Sequence, residues 1–377
     1  MDASYTWHPG ASGLTSQWAR PVPLHPDELL SSWLVRAALA QGCDPLVLTG
    51  CVWPKWRAWT VDVDRTVTLE RLTVLAELSG ISVGAFKATA LQLVSSQICG
   101  STQSRMKRWP WILSLGARNT KRHGGLQYCP ECLAADHDPY YRICWRFAWH
   151  TGCELHNRSL LDRCWSCSAP LEPHRLQATD SDITVCASCR KSLRSAPGGA
   201  WPDDARRFQI AADKVLSQDT GIGFGHVLNA PEWFDLASYA ISLVRQSLRL
   251  DSGGLRSMVE SVTSVPLAEL LLPEVGGIEQ IRTFERQAVL GAVVRFMETS
   301  AEDFQSACSS YGLSRQTICG GRKALPPVVL ELSTLLKDSP RENRRKVARR
   351  KTTGPRPKYL VELMMARLER KARLLSK

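Results

Sequence analysis

The amino-acid sequence predicts a mainly α-helical protein in which two small zinc-ribbon modules stand between two helical domains. Three observations lead to this prediction. Apolar residues recur at helical spacing over most of the chain, whereas strand-like alternation is scarce. Pairs of cysteine or histidine separated by two residues are concentrated between residues 129 and 189. Lysine and arginine are concentrated in the last 37 residues.

These shifts in composition divide the chain into six parts. Ser195-Ala-Pro-Gly-Gly199 is typical of a linker and separates the cysteine-rich region from the helical region after it. Small β-hairpins are expected inside the zinc modules. The predicted parts are a loose leader (1–20), an N-terminal helical, helix-turn-helix-like domain (21–100), a connector (101–128), tandem zinc-binding ribbons (129–195), a helical, helix-turn-helix-like domain (201–340) and a basic tail with a final amphipathic helix (341–377).

The first helix of the N-terminal domain is predicted to begin at Pro26. Proline suits the first turn of a helix, and Asp27 and Glu28 suit the positive end of its dipole. Gly42 is expected to end the helix. Its apolar face is predicted to consist of Leu29, Leu30, Trp33, Leu34, Ala37 and Ala38.

Four pairs of metal-binding residue types follow one another in the middle of the chain. A two-residue gap lets a tight turn direct both side chains at one tetrahedral ion, and two such turns supply four ligands. Pairing neighbours gives two sites with 20 and 18 residues between the halves, whereas an interlaced pairing of the turns stays open. The predicted ligands are Cys129, Cys132, Cys153 and His156 for one Zn²⁺, and Cys164, Cys167, Cys186 and Cys189 for the other.

Both sites are predicted to be structural. A catalytic zinc keeps an open position for water, and each of these sites closes at four protein ligands. His150 is expected to be a packed or capping histidine, and Cys43, Cys51, Cys99, Cys308 and Cys319 are expected to be small buried apolar residues. Eleven of the 13 tryptophans lie at or before Trp165 and are predicted to pack against the metal modules, the alternative being a platform that stacks on bases.

Two segments resemble a helix-turn-helix, because each has a small residue, then Gly, an apolar residue and Ser, over 76–82 and 308–314. The second segment, 304–323, is the candidate DNA reader, although Gly320 and Gly321 would shorten its second helix. The first is expected to be a packing or interaction hairpin, and two ordinary helix hairpins are the alternative for both. The predicted DNA contacts of the second are Ser314, Arg315, Gln316, Thr317, Arg322 and Lys323.

The positive charge of the protein is local. The chain carries 48 Lys and Arg against 36 Asp and Glu, a net charge of +12, and residues 341–377 hold 14 of the basic and 3 of the acidic residues. This tail is predicted to bind phosphates, the alternative being a solvated, disordered tail. Its predicted DNA contacts are Arg344, Arg345, Lys346, Arg349, Arg350 and Lys351.

Several classes of protein are disfavoured by what the sequence lacks. It contains no phosphate-binding Gly-x4-Gly-Lys-Ser/Thr loop, no Gly-x-Ser-x-Gly elbow and no His-Glu-x-x-His helix, so an enzyme is not expected. No apolar run is long enough to span a membrane, and no secretory signal is visible, so a cytoplasmic, nucleoid-associated bacterial protein is expected.

The order of these motifs resembles the TniQ family of transposon target-selection proteins, related to TnsD. The resemblance starts with the segment Pro21 to Arg36, which includes Glu-Leu-Leu-Ser-Ser-Trp-Leu-Val-Arg, and continues with Tyr128-Cys-Pro-Glu-Cys-Leu133. It extends through Pro139-Tyr-Tyr-Arg142, Trp145-Arg146 and Cys153-x-x-His156 to Cys164-x-x-Cys167, and it covers about residues 21–190. The Arg-rich end past 341 has no counterpart in it.

What the resemblance implies is a non-catalytic adaptor. Similar proteins choose the insertion site of a Tn-family transposon and recruit a TnsC-type AAA+ ATPase, and they either read a fixed DNA site or dimerise on an RNA-guided Cascade complex. By the same resemblance, Glu28, Trp33 and Arg36 would lie near the ATPase contact, the alternative being a helix's own core and salt bridge. A zinc-ribbon, helix-turn-helix transcription regulator that binds an operator is the competing hypothesis.

Overall fold

The computed structural model describes residues 18–100, 109–115, 125–249, 253–267, 277–320, 325–338 and 365, and over these residues the protein is mainly helical, as predicted. None of the helices in these ranges is both long and apolar enough to cross a membrane. The helices are α1 (Leu30–Ala40), α2 (Pro45–Val52), α3 (Val63–Thr66), α4 (Leu69–Ser79), α5 (Val83–Ala88), α6 (Gln92–Cys99), α7 (Pro130–Ala135), α8 (Asp203–Gln218), α9 (Ala230–Arg249), α10 (Gly254–Thr263), α11 (Thr283–Glu298), α12 (Ala301–Ser310), α13 (Arg315–Cys319) and α14 (Pro327–Thr334).

The chain divides into two units, residues 1–337 and 338–377. The described residues lie in the first unit, apart from Asp338 and Met365. The predicted basic tail therefore lies outside the described residues except for Met365, and so do most of the leader and of the connector. The domain boundaries inside the first unit stay predictions.

Helix α1 begins at Leu30, four residues later than the sequence predicted. The backbone of Glu28 pairs with that of Arg142 in an isolated bridge, and the Leu29 amide donates to the Tyr141 carbonyl at 3.0 Å. These contacts with a distant segment hold residues 28 and 29 extended, so the helix cannot start at the proline.

The same helix is buried on almost every side, which a single apolar face does not predict. Leu30, Trp33 and Leu34 belong to the core of the N-terminal helices, whereas Leu29 and Val35 belong to the large core of the rest of the chain. Its small polar residues Ser31 and Ser32 are also buried. Helix α1 therefore lies between two cores.

Both predicted helix-turn-helix segments form two helices joined by a glycine turn. Gly80 ends α4 at φ 74°, and the Ser82 hydroxyl accepts from the Ala85 amide at the start of α5. In the second segment Gly312 has φ 63°, and the Ser314 hydroxyl accepts from the Thr317 amide at the start of α13. Gly320 then ends α13 after five residues.

Two short antiparallel hairpins complete the described fold. Strands β1 (Gly152–Cys153) and β2 (Arg158–Ser159) lie inside the first metal-binding module, as expected. Strands β3 (Gly221–Gly223) and β4 (His226–Leu228) lie between α8 and α9, outside the metal modules, where no hairpin was expected. Each strand has only three residues, which is too short to show an alternation of apolar and polar residues in the sequence. The hairpin instead depends on the two-residue turn at Phe224 and Gly225.

Candidate metal centres

The structure brings the eight predicted ligands together in two groups of four. Cys129, Cys132, Cys153 and His156 form one group, and Cys164, Cys167, Cys186 and Cys189 form the other. Within each group the ligand atoms all lie within 4.8 Å of one another. Neighbouring pairs along the chain therefore meet, and the interlaced arrangement does not occur.

The distances in the first group suit a tetrahedral ion. The Cys132 Sγ lies 3.5 Å from the Cys153 Sγ, and both sulfurs lie 3.4 Å from the His156 Nδ1. Two sulfurs that each lie about 2.3 Å from a zinc ion at tetrahedral angles are separated by about 3.8 Å. Sulfur and nitrogen donors at this spacing therefore fit one small thiophilic cation.

The second group is built from two matching turns. The Cys164 amide donates to the Ala169 carbonyl, and the Cys186 amide donates to the Lys191 carbonyl, both at 2.9 Å. The residue after the second cysteine of each turn, Ser168 or Arg190, has a positive φ of 57° or 63°. This geometry turns both sulfurs of a pair inward, and the sulfurs of opposite pairs lie 3.6 and 3.8 Å apart.

The first group has a different local geometry on one side. Asn157 follows His156 with φ 49°, which is the same turn as in the second group. Cys129, by contrast, caps helix α7, and Cys132 lies within its first turn. Two residues separated by a gap of two lie on the same side of a helix, and they also lie on the same side of a tight turn. The spacing therefore predicts which residues are ligands, but it does not predict whether their backbone is helical or a turn.

The two groups differ in their exposure to solvent. Cys129, Cys132 and Cys153 are buried in the large core, together with Trp145 and Trp149. In the second group Cys167 is exposed and Cys189 is half-buried. The Lys191 amide donates to the Cys189 sulfur and lowers the pKa of that thiol to about 7, which favours the thiolate that a metal requires. The first centre therefore lies in the core, whereas the second has two ligands in the same core, Cys164 and Cys186, and two toward the surface.

The remaining candidates lie outside both groups. His150 is buried, as expected of a packed histidine, and its Nε2 lies 2.8 Å from the Asp213 carboxylate of α8, which also accepts from the Trp149 indole. Cys308 is buried as predicted, and Cys43, Cys99 and Cys319 are half-buried. Cys51 is exposed, contrary to the prediction, because it lies on the solvent side of α2 beside Gly50.

Glu28, Trp33 and Arg36 lie together at the start of α1. Trp33 is fully buried, and Arg36 donates to the Glu28 carboxylate at 2.7 Å. Burial raises the pKa of Glu28 to about 7, although Arg36 and the Ser32 hydroxyl stabilise its charged form. A helix's own core and salt bridge accounts for these positions, and a direct partner contact through them stays a prediction.

Arg146 is a structural residue whose role the sequence does not show. Its guanidinium is fully buried and donates to Asp64 at 2.8 Å, to Asp62 and to the Leu113 carbonyl. Asp64 accepts in addition from the amide and the hydroxyl of Ser31 in α1. Trp145-Arg146 carried part of the resemblance, but its partners come from a segment more than 80 residues earlier. Arg146 thus joins the N-terminal helices to the segment between the two ligand pairs of the first metal centre.

The predicted DNA contacts of the second helix-turn-helix are only partly described. Gln316 is exposed, and Ser314, Arg315 and Thr317 are half-exposed, at the start of α13. Arg322 and Lys323 lie outside the described residues, and so do Arg344, Arg345, Lys346, Arg349, Arg350 and Lys351. With five residues α13 is shorter than two turns, as the glycine pair suggested.

Comparison with known families agrees with the motifs. A family model described as TniQ matches residues 19–160, which include α1 to α7 and all four ligands of the first metal centre. A search of curated proteins finds no match. The resemblance drawn from the sequence is thereby confirmed over those residues, and the second metal centre lies beyond the matched range.

Proposed function

We propose that this protein is a target-selection adaptor of a DNA transposon and that the adaptor links a target complex to a TnsC-type AAA+ ATPase. The premise is that residues 19–160 are a TniQ domain. The TniQ family implies a transposition-associated role in target selection, and its members are non-catalytic adaptors. That this chain also catalyses no reaction is part of the proposal.

The observation that carries the proposal is the match to the TniQ model, and the architecture supports it. The matched residues contain the N-terminal helices and the first metal centre, and Arg146 joins these two parts through Asp62 and Asp64. A buried ion pair of this kind holds its elements in one relative position. Such a body is suited to present a fixed surface to a partner protein.

We propose further that both metal centres hold structural Zn²⁺. Three thiolates with one imidazole, and four thiolates, are the donor sets that zinc favours in closed structural sites. With four protein ligands each, both centres lack an open position for a substrate. When bound, the ion would stabilise the folded turns, because an isolated module of this size has little core.

The charge of the metal-binding region favours contacts with other proteins over contacts with DNA. Residues 125–200 hold eight basic and eight acidic side chains, and seven thiolates outweigh the charge of two Zn²⁺ ions. Six of its seven arginines are already bound to carboxylates, among them Arg175 to Glu172, Arg190 to Asp180 and Arg194 to Asp182. A contact with DNA phosphates is therefore assigned to the basic residues past 341, and the ATPase contact to the TniQ domain.

The target partner of the adaptor is DNA, a Cascade-type RNA-guided complex, or both, and a homodimer on such a complex is included in the proposal. The alternative of an operator-binding regulator receives less support, because the second helix of its candidate reading motif has five residues.

A pull-down with the TnsC-type AAA+ ATPase of the same transposon tests the proposal. The full chain, loaded with zinc, is immobilised and incubated with the purified ATPase, with and without ATP and target DNA. Retention of the ATPase that depends on the nucleotide is expected. The absence of retention under all conditions, together with tight binding to a single operator, would instead identify a regulator.

A further inference from the structure

An open apolar groove lies between α8, α11 and the β3–β4 hairpin, far along the chain from the TniQ match. It encloses about 400 Å³. Its floor consists of buried side chains from three helices, so it is a fixed feature of the core. The floor residues are Phe208 and Val215 of α8, Trp233 of α9, and Val294 and Met297 of α11.

The hairpin that forms one wall is held rigidly. Phe224, in the turn, adopts φ 51°, a conformation that costs a residue with a side chain about 1–2 kcal/mol. Its amide donates to the Met297 carbonyl at 2.9 Å, and its buried ring packs against Phe296 and Phe304. At Gly221 a Cβ atom would collide with Val215, so this strand approaches α8 as closely as glycine allows.

This rigid wall presents two large apolar side chains to water. Ile222 and Val227 are directly paired across the hairpin, and they are 69% and 75% exposed. Both line the groove. Because the clamp on Phe224 prevents the hairpin from folding them inward, their exposure is a property of the native fold. Apolar side chains fixed beside an apolar cavity are typical of a docking site.

The charge at the rim indicates the chemistry of the occupant. Two charged side chains line the groove, Lys214 and Glu298. Glu298 is bound by Arg207, whereas Lys214 is exposed and has no ion-pair partner among the residues that the structure describes. The unbalanced charge of the groove is thus positive, and it is complementary to a carboxylate.

We propose that this groove binds a short protein segment in which apolar residues stand beside an acidic residue. The apolar side chains occupy the cavity between Trp233 and Met297 and cover Ile222 and Val227. The carboxylate pairs with Lys214. This proposal goes beyond the role in target selection and does not depend on it, because the groove lies outside residues 19–160.

Selection from a phage-displayed library of random 12-residue peptides on the full zinc-loaded chain tests the proposal. Enriched peptides should combine apolar residues with Asp or Glu. Fluorescence anisotropy of the best synthetic peptide should show at least a tenfold weaker affinity for Val227→Asp, since the peptide buries this side chain. Lys214→Glu should weaken binding about three- to tenfold, and a peptide with Lys in place of its acidic residue should restore it.

Matched variants elsewhere on the surface serve as controls. Leu93→Asp changes an exposed apolar residue of α6, and Lys87→Glu reverses an exposed charge of α5, so both should bind like the unmodified chain. Failure to enrich any peptide, or equal binding by Val227→Asp, would overturn the proposal. So would sedimentation equilibrium showing a dimer that Val227→Asp abolishes, because the groove would then be covered by a second copy.

Discussion

The Arg146 guanidinium donates to the Asp64 carboxylate at 2.8 Å, and both side chains are fully buried although 82 residues separate them along the chain. Burial raises the pKa of Asp64 to about 6 even with the guanidinium beside it. Ser31 donates to the same carboxylate from α1. One ion pair therefore fixes the position of α1 relative to the segment between the two ligand pairs of the first metal centre.

Replacing Arg146 by Met should reduce the free energy of unfolding by about 3–5 kcal/mol, because the change leaves buried carboxylates without their cation. Arg175→Ala removes the pair of an exposed arginine with Glu172 and should cost about 0–1 kcal/mol. Urea unfolding at a fixed zinc concentration measures both values. Equal effects of the two substitutions would show that the buried pair does not hold the N-terminal helices to the first metal centre.

The two metal centres and the Arg146 ion pair show which features sequence can predict. Ligand pairs two residues apart are local, so their spacing alone predicted the eight residues that the structure gathers into two groups, while it left the pairing of the turns open. The partners of Arg146 are set by how distant segments pack, and no local pattern encodes this. The late start of α1 has the same cause, since the extended backbone at Glu28 and Leu29 is held by Arg142 and Tyr141.

The groove beside the β3–β4 hairpin could not be predicted for a related reason. Its floor combines residues from α8, α9 and α11, and each of them resembles an ordinary core position in its own helix. Ile222 and Val227 form part of a run that is too short for a strand pattern. Their exposure follows from the clamp on Phe224, a contact with residues more than 70 positions later.

Chelation should remove the two metal ions in two phases. The second centre should lose its ion first, because Cys167 is exposed, whereas the first centre is enclosed by the large core. Accordingly, Cys167→Ser should lower the melting temperature less than Cys132→Ser, and each variant should retain one ion. A colorimetric zinc assay during titration with a chelator measures the phases.

Double substitutions test which of the predicted ligands bind the same metal ion. Cys129→Ser with Cys153→Ser disrupts one centre and should leave one ion per chain, whereas Cys129→Ser with Cys164→Ser disrupts both and should leave none. The reverse result would show that the turns are interlaced in the metal-bound protein. Loss of both ions from the first double variant would show that the second centre depends on the first.

Gly152→Ala should destabilise the protein by about 1–3 kcal/mol, because the added methyl group would overlap the ring of Trp201. Gly152 lies in β1 next to the ligand Cys153, so zinc affinity should fall as well. Gly50→Ala is the matched control: nothing lies within 4 Å of the new Cβ, and alanine favours the helix α2 by about 0.5–1 kcal/mol. Thermal unfolding of both variants should therefore shift in opposite directions.

Glu28 should make stability depend on pH. Its pKa is raised by burial from 4.5 to about 7, so between these values the folded protein holds a proton that the unfolded chain has lost. The free energy of unfolding should therefore fall as the pH rises through this window. Glu28→Gln removes this contribution, and the stability of the unmodified chain relative to the variant should decrease from pH 5 to pH 8.

Comparing the two chains at each pH cancels the loss of zinc in acid, which affects both alike. Glu70→Gln, at an exposed position of α4, is the matched control for the loss of one carboxylate. A relative stability of the Glu28 protein that rises with pH would mean that Arg36 outweighs the burial of the carboxylate.

Removing residues 341–377 should abolish most of the affinity for DNA, because these residues carry 14 basic and 3 acidic side chains while the other 340 residues are nearly neutral. The logarithm of the binding constant falls with the logarithm of the salt concentration by about 0.9 for each phosphate neutralised, so the truncated chain should also lose most of its salt dependence. Gel-shift titrations from low to physiological salt measure both quantities. Retention of the ATPase in the pull-down should be unaffected, since residues 19–160, which match the TniQ model, remain intact. Unchanged DNA binding by the truncated chain would show that the phosphate contacts lie in residues 1–340. It would favour recruitment by an RNA-guided or protein complex.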